Sequence, residues 1–163
     1  MGDLFWIVLV SAALLGGALY FGQKRADSLI AEGKMIKRDM DFWNFAEIFT
    51  LSSVDYKKLR SEINDMDFSE FKITSYPDNG GKSEILFKSG YEWNARILYL
   101  GESEGRNKFR FEFTTWNTYN GLPMRSDTMN MMETKIEKIF LKLDPNTVVE
   151  TVENKIETKH KLF

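Results

Sequence analysis

The eighteen residues Leu4–Phe21 contain no charged side chain, and fifteen of them are apolar; only Ser11, Gly16 and Gly17 interrupt the run. Coiled as a helix, the run rises about 27 Å, close to the roughly 30 Å hydrocarbon thickness of a bilayer. Trp6 and Tyr20, near its two ends, suit the two membrane interfaces. A cleaved export signal would instead begin with basic residues, hold a shorter apolar stretch and end in a small-residue cleavage motif. Here Met-Gly-Asp precedes the run and no Ala-x-Ala motif follows it. The run therefore predicts a single uncleaved transmembrane anchor over residues 1–22.

Residues 23–38 read as a basic juxtamembrane linker, partly helical and interrupted by Gly33. Lys24, Arg25, Lys34, Lys37 and Arg38 stand against Asp27 and Glu32, a net of +3. Basic residues beside a span favour the cytoplasmic side, so the expected protein is single-pass in the cell membrane, with its N-terminus outside and its body, residues 39–163, in the cytoplasm. The collar sets this topology, and it could also hold the linker against anionic lipid. Within the run, Ala12 and Gly16, and Ala13 and Gly17, lie four apart. That spacing lets two such helices approach closely as a homodimer.

Composition narrows the chemistry of the body. The chain has no cysteine and one histidine, which removes disulfide frameworks, thiolate metal sites, cysteine nucleophiles and most histidine chemistry. The body holds 17 basic and 21 acidic residues, net −4, which disfavours nucleic acid as a partner. His160 lies among lysines in Lys-Thr-Lys-His-Lys, without a second ligand. Asn79-Gly-Gly-Lys-Ser83 resembles a fragment of a phosphate loop, but it sits between two strand-like segments and reads as a hairpin turn. No Gly-x-Ser-x-Gly motif occurs, and the acidic pairs Asp39/Asp41, Asp65/Asp67 and Glu102/Glu104 lie in polar surroundings. No catalytic residue, cofactor or metal is expected.

Hydrophobic periodicity predicts an α+β body. Phe42, Phe45, Ile48 and Phe49 fall at helical spacing, and Val54, Leu59, Ile63 and Met66 mark a second helix capped by Ser52 or Ser53, with Asp55 in its first turn. The period then changes to two. Phe71 and Ile73 begin a strand that ends at the Pro77–Gly81 turn. Ile85 and Phe87, then Tyr91 to Tyr99, then Phe109, Phe111 and Phe113 on to Trp116 follow as an antiparallel meander. A helix capped by Ser126 or Asp127 runs to Leu143 and stops at Asp144-Pro145. Residues 147–159 read as a fifth strand, although a helix also fits their spacing. The expected body is a two-layer domain, a four- to five-stranded antiparallel sheet packed against helices.

With the Phe face as core, Lys72, Tyr76, Leu86, Lys88, Arg96, Leu98, Leu100, Arg110 and Trp116 point the other way. Such a surface suits plain solvent or intradomain cover, or a protein interface; the acidic body and the lack of an RNA-recognition signature leave nucleic acid behind. Tyr76, Arg96, Leu98, Arg110 and Trp116 are the candidate contact residues. The expected function is a membrane-tethered cytoplasmic adaptor or assembly domain without catalytic activity. The alternative is a small-ligand or lipid-binding module with a pocket between sheet and helix.

Overall fold

Alternation of apolar residues builds the sheet, and the computed structural model shows it for residues 22–52, 54–73, 83–90 and 92–154, the part of the chain it describes. The chain divides into two units, residues 1–37 and 38–163. In the first, helix α1 covers residues 22–31. Gly33 ends it at φ +69°, and the Lys34 and Gly33 amides donate to the Leu29 and Ile30 carbonyls at 2.8 and 2.9 Å. This is the glycine-closed helix end that only a residue at ease with positive φ completes cheaply. The expected anchor lies, but for Gly22, outside the described residues. Among the described residues no helix is long and apolar enough to cross a membrane.

The second unit is an α+β domain. Its strands are β1 (Phe45–Leu51), β2 (Glu84–Ser89), β3 (Trp93–Ser103), β4 (Arg106–Trp116) and β7 (Val148–Glu153), with a small hairpin, β5 (Thr118–Tyr119) and β6 (Leu122–Pro123), between β4 and the last helix. The five main strands form one sheet in the order β2-β3-β4-β1-β7, every neighbouring pair antiparallel. Helices α2 (Tyr56–Asn64) and α3 (Ser126–Leu143) complete the domain.

The meander from β2 to β4, the long helix α3 and a strand after it match the pattern in the sequence. Three expectations do not hold. Residues 42–49 are not a helix: a short 3-10 turn at Phe42–Asn44 leads into β1. β1 lies between β4 and β7 and carries Glu47 on its helix-facing side and Ala46 and Ile48 on the other, so its apolar residues do not alternate cleanly, and a short apolar run cannot be told from a helix by period. The strand expected from Phe71 does not begin there, because Phe71 ends a 3-10 turn and Lys72 adopts φ 51°; the rest of that segment, residues 74–82, lies outside the described residues. The helix caps also differ. Asp55 itself caps α2, its carboxylate accepting from the Lys58 amide at 2.8 Å, while the Ser52 amide donates to Asp144 at 2.8 Å. Arg125 precedes α3, with no side-chain cap.

Aromatic rings fill the space between the layers. Phe140 of α3 stacks on Phe49 of β1 at 4.0 Å between centroids and lies 5.6 Å from Phe109. Trp93 meets Phe113 edge-on at 5.6 Å and donates its indole N–H to Thr128 Oγ1 at 2.9 Å. Tyr56 of α2 contacts Tyr99, and Lys142 of α3 reaches Glu62 of α2 at 2.9 Å. Both helices therefore lie on the same side of the sheet.

Candidate interaction surface

The opposite side of the sheet carries Glu84 and Leu86 from β2, Arg96 and Leu98 from β3, Arg110 and Glu112 from β4, Ala46 and Ile48 from β1, and Glu150 and Val152 from β7. Register places these side by side: Leu86 beside Arg96, Arg96 beside Glu112, Leu98 beside Arg110, Arg110 beside Ile48. Directly opposed residues stand close enough for their side chains to meet. Arg96 donates Nε and Nη2 to Glu112 Oε1 at 2.7 and 2.6 Å and Nη1 to Glu84 Oε1 at 3.2 Å. Arg110 donates Nε to Glu112 Oε2 at 2.7 Å and Nη2 to Asn154 Oδ1 at 3.4 Å. Asn154 in turn donates to the Phe113 carbonyl at 2.9 Å. The result is a ladder of charge crossing the sheet. Burial pulls the Arg96 guanidinium down, but its bonds to Glu112 and Glu84 outweigh that effect and raise its pKa.

Glu112 is the hub. Its side chain is 6% exposed and serves both arginines. Glu112→Ala would leave two cations facing each other without their shared counter-ion. Both retain solvent, which screens the penalty, so the expected loss is about 1–3 kcal/mol, read by urea unfolding. A change below a few tenths would mean that the ladder contributes nothing.

Of the five candidate contact residues, the structure brings three together: Arg96, Leu98 and Arg110. Tyr76 lies outside the described residues. Trp116 is elsewhere. A register shift at Asn94/Ala95 re-phases the end of β4, so Trp116 pairs with Trp93 of the core face and is buried. It lines, with Glu92, Asn94 and Asn117, a cleft of about 220 Å³. Simple alternation from Phe113 cannot foresee a bulge, which adds one residue and flips all that follow.

Of the basic collar, Lys24, Arg25, Lys34 and Lys37 are exposed, and Lys34 pairs with Glu32 at 3.1 Å. Arg38 is not part of an exposed collar. Its side chain is 13% exposed, and its guanidinium meets Glu47 of β1 at 3.1 Å and Glu133 and Glu137 of α3 at 3.3 and 2.7 Å. Among the described residues no group of His, Cys, Asp or Glu is arranged to hold a metal ion; these three carboxylates converge on a guanidinium. One cation cannot balance three buried anions, and Glu47 Oε2 and Glu133 Oε2 accept no well-directed hydrogen bond. Burial first, then Glu133 and Glu137, push the Glu47 carboxyl up to about 9. Burial likewise pushes Glu133 up, to about 8, against the pull of Arg38. The sequence held a signal for this cluster that periodicity alone passes over: Glu133 stands four residues after Met129 and three before Ile136, on the apolar stripe of α3.

No family model, curated protein or solved structure matches this chain, so the surface is interpreted from its own chemistry.

Proposed function

We propose that this chain is a membrane-tethered, single-pass cytoplasmic protein whose domain serves as a non-enzymatic adaptor or assembly module, binding a protein partner through the open face of its sheet. The observation that carries this reading is the face itself. Neither α2 nor α3 packs on it, and it presents half-buried Leu86, Leu98 and Ile48 around arginines already fixed by Glu112. Apolar residues among ordered arginines suit a protein interface, and side chains held in place before binding lose little entropy on contact. The apolar run Leu4–Phe21 and the basic residues after it support the tether and its orientation. A ligand pocket between the layers is a weaker reading, because the stacked Phe49 and Phe140 rings occupy space that such a pocket would need.

Leu98→Glu tests the interface. It places an acid beside Glu84 and Arg110 on a half-exposed position, so folding should survive with a melting temperature within about 3 °C of wild type. Crosslinked recovery of the partner by the full-length protein should drop at least tenfold. Equal recovery by wild type and variant would reject this face as the contact surface.

A further inference from the structure

We propose that the tip of the β5–β6 hairpin is a membrane-contacting element, with Tyr119, Leu122 and Met124 lying in the interfacial layer of the bilayer to which the domain is tethered. The inference rests on the tether reading above and adds an orientation to it. These three side chains are 71%, 50% and 58% exposed, three large apolar groups within six residues. Their presentation is rigid. Asn120 and Gly121 both have positive φ, 50° and 81°, the geometry of a tight two-residue hairpin turn. The Met124 amide closes the hairpin on the Asn117 carbonyl at 2.9 Å. β5 and β6 pair only with each other, so the tip stands apart from the main sheet.

Charge argues for a lipid surface as the occupant. Residues 113–126 contain no acidic residue in a body of net −4, so this stretch can approach anionic headgroups without repulsion. Its one basic residue, Arg125, pairs with Glu92 at 2.8 Å and Asp127 at 3.2 Å, which offsets the charge of those two acids beside the stretch. A tyrosine with an apolar ring and a polar tip, flanked by leucine and methionine, suits that layer. The tether makes weak affinity sufficient. Ten helical residues in α1 and the six before Arg38 would span at most about 35 Å even with those six fully extended, which keeps the domain at high effective concentration near lipid.

The absence of native cysteine permits single-site labelling of the full chain. Leu122→Cys carries an environment-sensitive fluorophore in nanodiscs of phosphatidylcholine and phosphatidylglycerol containing lipid-borne nitroxide. Ser103→Cys, the last residue of β3 and opposite Arg106 at the start of β4, about 33 Å away along the strand direction, is the control. Nitroxide should quench the Leu122 label at least fivefold more than the Ser103 label, and Tyr119→Ser with Met124→Ser should cut that quenching at least threefold. A Tyr119→Cys label repeats the measurement should Leu122→Cys disturb the fold. Co-elution of wild type with the nanodisc separates the two readings. Without co-elution the tether itself fails, and the inference with it. With co-elution but equal or absent quenching, the hairpin inference alone is overturned. A blue-shifted, unquenched Leu122 label would assign the tip to a protein contact and also overturn it.

Discussion

Full-length protein carrying Phe140→Ala is expected to lose about 3–5 kcal/mol of unfolding free energy. Phe140 is fully buried and touches two strands at once, stacking on Phe49 of β1 and tilting over Phe109 of β4. Removing the ring deletes its transfer energy and leaves a cavity that two rigid strands and a helix cannot collapse to fill. In a domain of this size the loss lowers the melting temperature by roughly 10 °C. Phe140→Leu keeps most of the volume and should cost less than about 1.5 kcal/mol. Thermal or urea unfolding in detergent micelles distinguishes the two. An alanine variant within 1 kcal/mol of wild type would mean that the layers are not packed through these rings.

The second large effect is on pH. Both Glu47 and Glu133 have folded values raised above the ordinary 4.5, to about 9 and about 8. The folded state therefore holds protons that the unfolded chain has released. The stabilisation that these protons represent is complete below about pH 4.5 and is lost progressively as pH rises, levelling off above about pH 9. Each such proton contributes a slope of up to about 1.4 kcal/mol per pH unit. The expected result is a fall of at least about 1 kcal/mol between pH 6 and pH 8, roughly 3 °C in melting temperature. Glu47→Gln reproduces the protonated shape without the proton to lose, so its slope should be visibly flatter. If the two proteins show the same slope, Glu47 is not the proton holder. Asp144 opposes this trend only in acid: its bonds from the Ser52 and Asn146 amides lower its pKa, so its contribution disappears as pH falls below the ordinary aspartate range.

What the sequence made legible follows the physics of each element. Phe109, Phe111 and Phe113 alternate against Arg110 and Glu112, so β4 and the identity of its two faces could be read directly. α3 was readable because its stripe, its stop at Asp144-Pro145 and its length agree. β1 was not, because Glu47 sits on its helix-facing side while Ala46 and Ile48 sit on the other, so no polar side reveals its period. Three of the five candidate contact residues were legible for the same reason as β4. Arg96, Leu98 and Arg110 alternate with core residues, whereas Trp116 follows a bulge that no local pattern announces. Arg38 shows a different failure. Read as a residue beside a membrane, it counts as surface charge; only the long-range meeting of β1, α3 and the segment before β1 makes it an interior group.

The place of β1 in the sheet has a kinetic consequence. Ala46 pairs with Glu112 and with Val152, partners 66 and 106 residues later in the chain. β1 is thus inserted between two strands that come much later in the chain, and loop closure over such separations slows folding relative to helical domains. The meander of β2 to β4 can form from local hairpins, but β1 keeps an open edge until Val148–Glu153 arrives. A chain halted before Val148 would carry that edge, with Ala46, Ile48 and Phe49 beside it, and edges of this kind seed association between copies. Assembly of this sheet is accordingly governed by when β7 docks.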